Sequence, residues 1–409
     1  MTNAAAPARV PGRAALVFIL VTILIDAIGI GLIFPVLPGL IEEVSGEGLS
    51  RAAEIGGLMA AVFALMQFLC GPVMGALSDR YGRRPVLLIS LAVMVADYVV
   101  MALAGAVWLL FLGRVIGGIA AATQATAAAF VADISAPEEK AARFGLVGAA
   151  FGMGFVIGPA LGGLLGELGT RAPFWAAGAL AAANLLLGAL VLPETVRTPR
   201  AFEWRRAQPF GAIARMRLLP GLGALLLIVL LHEVAGYVYP AIWAYYGPAA
   251  FGWTPATVGL SLASFGIAMA VVQGALVGPF IRILGERGTV LFGLAFDAVI
   301  YVILTFTRSG LVVLILCPVS ALGMATLPAL QGRMSRRVAD DAQGELQGVL
   351  TSMHALAAIL SPVVMTRVFA AFTTPPGPFL PGAPFFLSAI ITLACIAIWL
   401  ARPRPEETP

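Results

Sequence analysis

Apolar residues run along the chain in long stretches, separated by short turns in which arginine, aspartate, glycine and proline collect. The stretches fall at 14–37, 54–77, 85–105, 107–131, 142–165 and 172–193, then at 218–243, 256–284, 288–307, 310–332, 343–371 and 382–402. Each is close to the ~20 residues an α-helix needs to cross the hydrocarbon core of a bilayer. The pattern therefore predicts twelve membrane-spanning helices. One connection differs from the rest: ETVRTPRAFEWRRAQPFGAIARMR, residues 194–217, is long and polar and divides the spans six and six. It predicts a six-helix bundle over 1–193, a linker over 194–217 and a second six-helix bundle over 218–409.

The two halves repeat. FGLVGAAFGMGFVIGP carries Gly145 and Gly158-Pro159, and LQGVLTSMHALAAILSP carries Gly348 and Ser361-Pro362, at one offset (348−145 = 203; 361−158 = 203). GPVMGALSDR, from Gly71 to Arg80, echoes GPFIRILGER, from Gly278 to Arg287, at another (278−71 = 207; 287−80 = 207). Many transporters are built from such internal repeats. The expected fold is an all-α membrane protein with twelve transmembrane helices in two pseudo-symmetric six-helix bundles.

Composition excludes a soluble domain: 60% of residues are hydrophobic and 11% charged, where soluble domains carry about 25% charged residues. Arginine fixes the expected orientation, because positive residues mark short cytoplasmic loops. Arg80, Arg83 and Arg84 follow the second predicted span, Lys140 and Arg143 the fourth, Arg282 and Arg287 the eighth, and Arg333, Arg336 and Arg337 the tenth; the linker and the chain end hold more. The alternate loops hold only Arg51, Arg171 and Arg308. Both termini are expected in the cytoplasm. The net charge of +4 comes from this topology and is no argument for a nucleic-acid partner. The apolar run behind MTNAAAPARVPGR continues without a small-residue cleavage pattern, so a retained first span is expected rather than a cleaved signal. Cys70, Cys317 and Cys395 neither pair by spacing nor resemble metal ligands.

Charges inside the spans stand out because each is costly in lipid and usually faces a partner or a cavity. Asp26 lies about 12 residues into the first span, roughly 18 Å up, and Asp97 about as far into the third. Arg114 enters the fourth from the opposite side and reaches a similar depth. In the second half Asp297, His232-Glu233 and His354 fall roughly 14 to 22 Å up. Transporters hold substrate and coupling ions in such a midplane layer. Asp26 has no basic residue in its own span and reads as a protonatable functional acid. Asp97 with Arg114 reads equally as a structural ion pair and as part of a proton path. His232 and Glu233 point about 100° apart on a helix, and Glu233 has the better claim as a proton or cation site. His354 reads first as a packed polar residue and second as a substrate contact. Tyr237, Trp243 and Tyr245 suit either stacking on a ligand or interfacial anchoring, the latter above all for Trp243.

Two further features suit a moving device. GMGFVIGPALGG, residues 152–163, lines one helix with small residues, which permits close backbone approach or a bend at Pro159. GALSDRYGRRP joins Asp79 at a helix terminus to Arg80, Arg83 and Arg84, contacts that can favour one arrangement of two bundles over another. The chain has no HExxH, DDxxD or GxxxxGK[ST] pattern, which argues against an enzyme and against ATP drive.

GALSDRYGRRPVL resembles the signature loop of the major facilitator superfamily, FLGRVIGGIAAA its helix-four arginine motif, and GFVIGPALGG the helix-five motif of its proton-driven antiporters. With DAIGIGLIFPVLP, ALMQFLCGPVMGALSDRYGRRPVLLIS and PALQGRMSRRVADDAQGELQG, the chain is similar over nearly its whole length to the tetracycline/proton antiporters of Gram-negative bacteria. The resemblance implies a monomeric pump of the bacterial inner membrane that exports a drug in exchange for protons, in the tetracycline pumps a divalent-metal chelate, with no cofactor. It assigns Asp26, Asp97 and Asp297 to the family's intramembrane acids, Arg114 to its helix-four arginine and Gln273 to a helix-eight glutamine in contact with substrate; the residues themselves add Glu233 to the expected proton-coupling set and Gln67, Tyr237 and His354 to the expected substrate contacts. Gating falls to Asp79, Arg80, Arg83, Arg84, Gly158 and Pro159. Two departures stand against it: Met269 where those pumps generally carry histidine, and the charged seventh span. An exporter of a metabolite or sugar on the same scaffold is the alternative.

Overall fold

The computed structural model describes residues 13–121, 123–136, 138–196, 221–339 and 342–401. The expected linker therefore lies outside the described residues apart from 194–196, as do the chain ends. Among the described residues every regular element is helical.

The first half holds spans at Arg13–Ile33, Leu49–Tyr81, Arg83–Leu103, Val107–Ala120 with Thr123–Asp133, Lys140–Gly166 and Ala172–Val191. The second holds Gly223–Gly236 with Val238–Phe251, a run of Pro255–Phe306, Gly310–Ser320 with Thr326–Ser335, Gln343–Ala371 and Ala383–Leu400. Ten of the described helices are long and apolar enough to cross a membrane. One of them, the 52-residue Pro255–Phe306, reverses at Gly285, whose φ of 66° is open to glycine and strained for other residues. It is the eighth and ninth spans joined. Val107–Ala120 and Thr123–Asp133 together make the fourth, so the spans number twelve (10 + 1 + 1).

Three expectations need correction. A short helix, Leu37–Ser45, sits between the first two spans where only a loop was expected; it buries Pro38, Leu40 and Ile41 and ends on left-handed Gly46. The fourth span is two helices, and the tenth is interrupted by a 3-10 turn at Ala321–Ala325. The repeat around the arginine turns is also out of register with the offset of 207: the chain turns at Gly82 (φ 104°) and at Gly285, an offset of 203 (285−82 = 203). Asp79 thus precedes its turn, whereas Glu286 follows its own.

Within the first bundle, Gly154, Gly158 and Gly162 form one stripe of the fifth span against the backbone of the first. A Cβ at Gly158 would lie 2.7 Å from the Ile28 carbonyl oxygen, and one at Gly154 2.6 Å from that of Leu24. The helix runs through Pro159 unbroken, so this motif serves close approach.

Between the bundles the same small-residue chemistry gives a wedge. A Cβ at Gly57 of the second span would lie 2.8 Å from the Pro362 carbonyl oxygen of the eleventh, and one at Gly163 of the fifth span 2.9 Å from Ala256 Cα of the eighth. Gly75 and Gly145 lie 18 residues from Gly57 and Gly163 along the same helices. That is five whole turns, so they share the same faces about 27 Å away. Both meet open space. The bundles therefore close at the end remote from the arginine turns and part toward the arginine-rich end. Polar ties cross the closed end: the Ser50 and Thr373 hydroxyls are 2.7 Å apart, and the Glu167 carboxylate accepts the Ala256 backbone N–H at 3.1 Å.

Candidate functional site

In the first bundle two acids are held by glycines and tyrosine. Asp97 is buried between Gly113 and Gly117, four residues apart on the fourth span. A Cβ at Gly113 would lie 2.8 Å from Asp97 Oδ1 and one at Gly117 2.7 Å from Oδ2, so only glycine leaves room for the carboxylate. Arg114, between them in sequence, places Nη2 3.5 Å from Oδ2 and rests its guanidinium over the Phe63 ring at 5.5 Å. Asp97 Oδ1 and Arg114 Nε and Nη2 are buried without hydrogen bonds, so the pair is held by charge more than by directed bonds. Tyr98, fully sheltered, lies within electrostatic reach of Asp26, Asp97 and Arg114. Its hydroxyl fills the space a Cβ would occupy on Gly29. Asp26, one turn before Gly29, is buried. Residues 26, 97 and 114 thus form one neighbourhood around Tyr98, which the sequence did not single out.

The second bundle is arranged differently. Glu233 of the seventh span and His354 of the eleventh meet with Oε2 and Nδ1 2.9 Å apart, and the Tyr237 ring lies 5.7 Å from the imidazole. This corrects the reading of His354 as a packed polar residue, since its side chain is 59% exposed. Asp297 has another setting: its carboxylate presses on Gly323 in the 3-10 turn of the tenth span, with Tyr239 and Tyr301 nearby. No basic side chain pairs with it among the described residues.

Gln67 is half-buried in the second span. Gln273 is exposed within a π-helical turn, Val272–Leu276, a distortion often found at functional positions, and Met269 lies one turn before it. Trp243 is not an interfacial anchor: it is 1% exposed, donates to Ser261 Oγ at 2.9 Å and packs among Tyr239, Tyr246 and Phe385. Tyr245 is also buried, wedged against Gly56 of the opposite bundle. Neither ring is open to a cavity.

At the arginine turn, Arg83 bonds Asp79 at 2.5 Å, Asp133 at 3.2 Å and Ser78 Oγ at 2.5 Å. Glu194 accepts the backbone N–H groups of Arg83 and Arg84 at 2.9 and 3.2 Å, capping the third span at its positive end. Arg84 also reaches the Ala189 carbonyl at 2.8 Å, while Arg80 lies over the Tyr81 ring. Glu194 is the first residue of the expected linker, and an acid just after an apolar span is its one signal in the sequence. Gly158 and Pro159 face different neighbours, Gly158 the first span and the Pro159 carbonyl Gly259 of the opposite bundle.

A family model described as Major Facilitator Superfamily matches residues 19–246 and 225–409. The chain belongs to the major facilitator superfamily. As a major facilitator it is a multi-pass membrane transporter and not an enzyme. It is 40% identical to the class C tetracycline resistance protein of Escherichia coli, over 93% of this chain and 95% of that one. It is equally 40% identical to the class G tetracycline resistance protein of Vibrio anguillarum, over 96% and 98%. Among solved structures, a bacterial homologue of the human lysosomal transporter Spinster, inward-facing and unoccupied, aligns with TM-score 0.78 at 17% identity, over 96% of this chain and 97% of that one, which supports the fold.

Proposed function

We propose that this transporter is a proton-coupled efflux pump of a bacterial inner membrane, a drug antiporter that takes tetracycline as its divalent-metal chelate. The observation that carries the reading is the one-sided wedge between the bundles, with buried acids held in both of them, Asp26 and Asp97 in the first and Asp297 in the second. Arginine-rich turns mark the cytoplasmic side, which puts both termini in the cytoplasm and makes this a cytoplasm-open state. Identity to the tetracycline resistance proteins supports the substrate class.

In this reading alternating access proceeds by rocking the bundles about the closed end. Protons enter from outside when the wedge is reversed and load Asp26; after rocking they leave to the cytoplasm and substrate takes their place. Exchange requires only that the site hold proton or substrate and not both. Tyr98 transmits the state of Asp26 to the Asp97–Arg114 pair. Gln67 and Gln273 supply hydrogen bonds to a polar, multi-ring ligand from opposite walls. Asp79, Arg80, Arg83 and Arg84 act as the gate, since their contacts within the first bundle are free to be exchanged when the arginine-rich ends close. Asp297 serves as a second buried acid. The metal is cargo, and a single chain encloses the path.

The test is proton movement in inverted vesicles with a preset gradient. Tetracycline with Mg²⁺ should collapse the gradient with the native chain and leave it intact with Asp26→Asn. A native chain that responds to no drug, but to a metabolite or sugar, would move the substrate to the alternative class.

A further inference from the structure

The Glu233, Tyr237 and His354 group lies in the second bundle, apart from the neighbourhood of Asp26. Its members come from two spans, 121 residues apart at the Glu233–His354 contact. An imidazole 59% exposed halfway along a span faces either lipid or cavity, and helical periodicity decides. Ser361, seven residues on, lies about 20° around the helix from His354, and its hydroxyl bonds the Val234 carbonyl of the seventh span. Pro362 and Thr366, about 80° and 120° around from His354 on its other side, meet Gly57 of the opposite bundle. His354 thus points between the seventh span and the opposite bundle, at a depth where the bundles have parted, and it faces the cavity.

The chemistry there is selective. Glu233 is 14% exposed and pairs with no arginine or lysine among the described residues; only His354 Nδ1 engages Oε2. Tyr237, four residues on, lies on the same helical face. A sheltered carboxylate beside an aromatic ring suits an organic cation, which places its charge on the carboxylate and its hydrocarbon on the ring. His354 is exposed enough to swing aside.

We propose that Glu233 and Tyr237, with His354 as a displaceable cover, form a subsite for monovalent organic cations, amines or quaternary ammonium groups with an aromatic body. The proposal rests on the reading of the cavity as an export chamber only for its biological use, because equilibrium binding tests it without transport.

The experiment is equilibrium dialysis of tetraphenylphosphonium against the full chain in detergent micelles, with the unfolding temperature of every variant measured alongside. Native protein and Glu47→Gln, an exposed acid at the closed end, should bind alike. Glu233→Gln should weaken binding about tenfold or more, Tyr237→Leu should weaken it with the charge intact, and His354→Gln should bind at least as tightly as native. Native-like binding by Glu233→Gln, or loss of binding in a folded His354→Gln, would overturn the proposal. Its failure is distinct from that of the export reading: gradient collapse by tetracycline with cation binding indifferent to Glu233 leaves export standing, and the converse pattern leaves the subsite standing.

Discussion

Asp97 and Arg114 face each other at 3.5 Å with little water to screen them, and their hydrogen-bonding atoms are left partly unserved. Removing one member of such a pair strands the other, a loss of about 3–5 kcal/mol, whereas removing both costs far less. Asp97→Asn should therefore lower the unfolding temperature in micelles, and Asp97→Asn with Arg114→Gln should recover most of the loss. A double variant no more stable than the single one would show that the pair contributes little to the fold. Gly117→Val should mimic the single variant without altering a charge, because its side chain would occupy the place of the carboxylate. At this scale the sequence was legible in part. The depth of Asp26, Asp97 and Arg114 followed from counting residues, but the Gly113–Gly117 socket and Tyr98 did not, since they depend on how two helices are rotated against each other. Glu233 and His354 share no sequence neighbourhood, so their contact is not legible from the surroundings of either residue.

Helices and their ends carry a second set of consequences. The short helix Leu37–Ser45 is clamped to the turn after the fifth span: the Thr170 hydroxyl and Arg171 Nε bond Glu43, the latter at 3.0 Å. The Thr170 hydrogen bond, aided by Arg171, holds the Glu43 carboxyl below its usual range. A carboxyl lowered by folding contributes stability above its unfolded pKa and loses that contribution as pH falls through its folded value. Native protein should thus exceed Glu43→Gln in unfolding temperature at neutral pH by a small margin, this contact being exposed, and the margin should vanish in acid. A margin that grew on acidification would contradict the clamp. The helix was hidden in the sequence because nine residues with only three buried give a weak periodic signal. The long apolar spans, by contrast, announced themselves. Breaks such as the π turn at Val272–Leu276 and the 3-10 turn at Ala321–Ala325 left no mark in hydropathy, since they change hydrogen-bond register without changing residue polarity.

The whole molecule behaves as two bodies joined at one end, so locking that end should stop it. Ser50→Cys with Thr373→Cys, replacing hydroxyls 2.7 Å apart, should cross-link on oxidation and arrest transport until a reductant is added, while either single variant keeps its activity. Transport that persisted through the cross-link would mean that the closed end need not open. Two-fold architecture was visible in the repeated Gly-Pro segments. Which end was closed was not, because glycines that touch the opposite bundle and glycines that face empty space are the same residue at the same helical phase.

The wedge has an electrical side. Water that fills it carries the potential of the compartment to which it opens, so the field across the membrane is compressed into the closed septum between the second, fifth, eighth and eleventh spans. A charge lodged in the open part lies near one bulk potential; moving it past the septum takes it through most of the drop, about 2.3 kcal/mol per elementary charge for each 100 mV. A thin barrier thus lets a short rocking motion do nearly the full electrical work of crossing a bilayer.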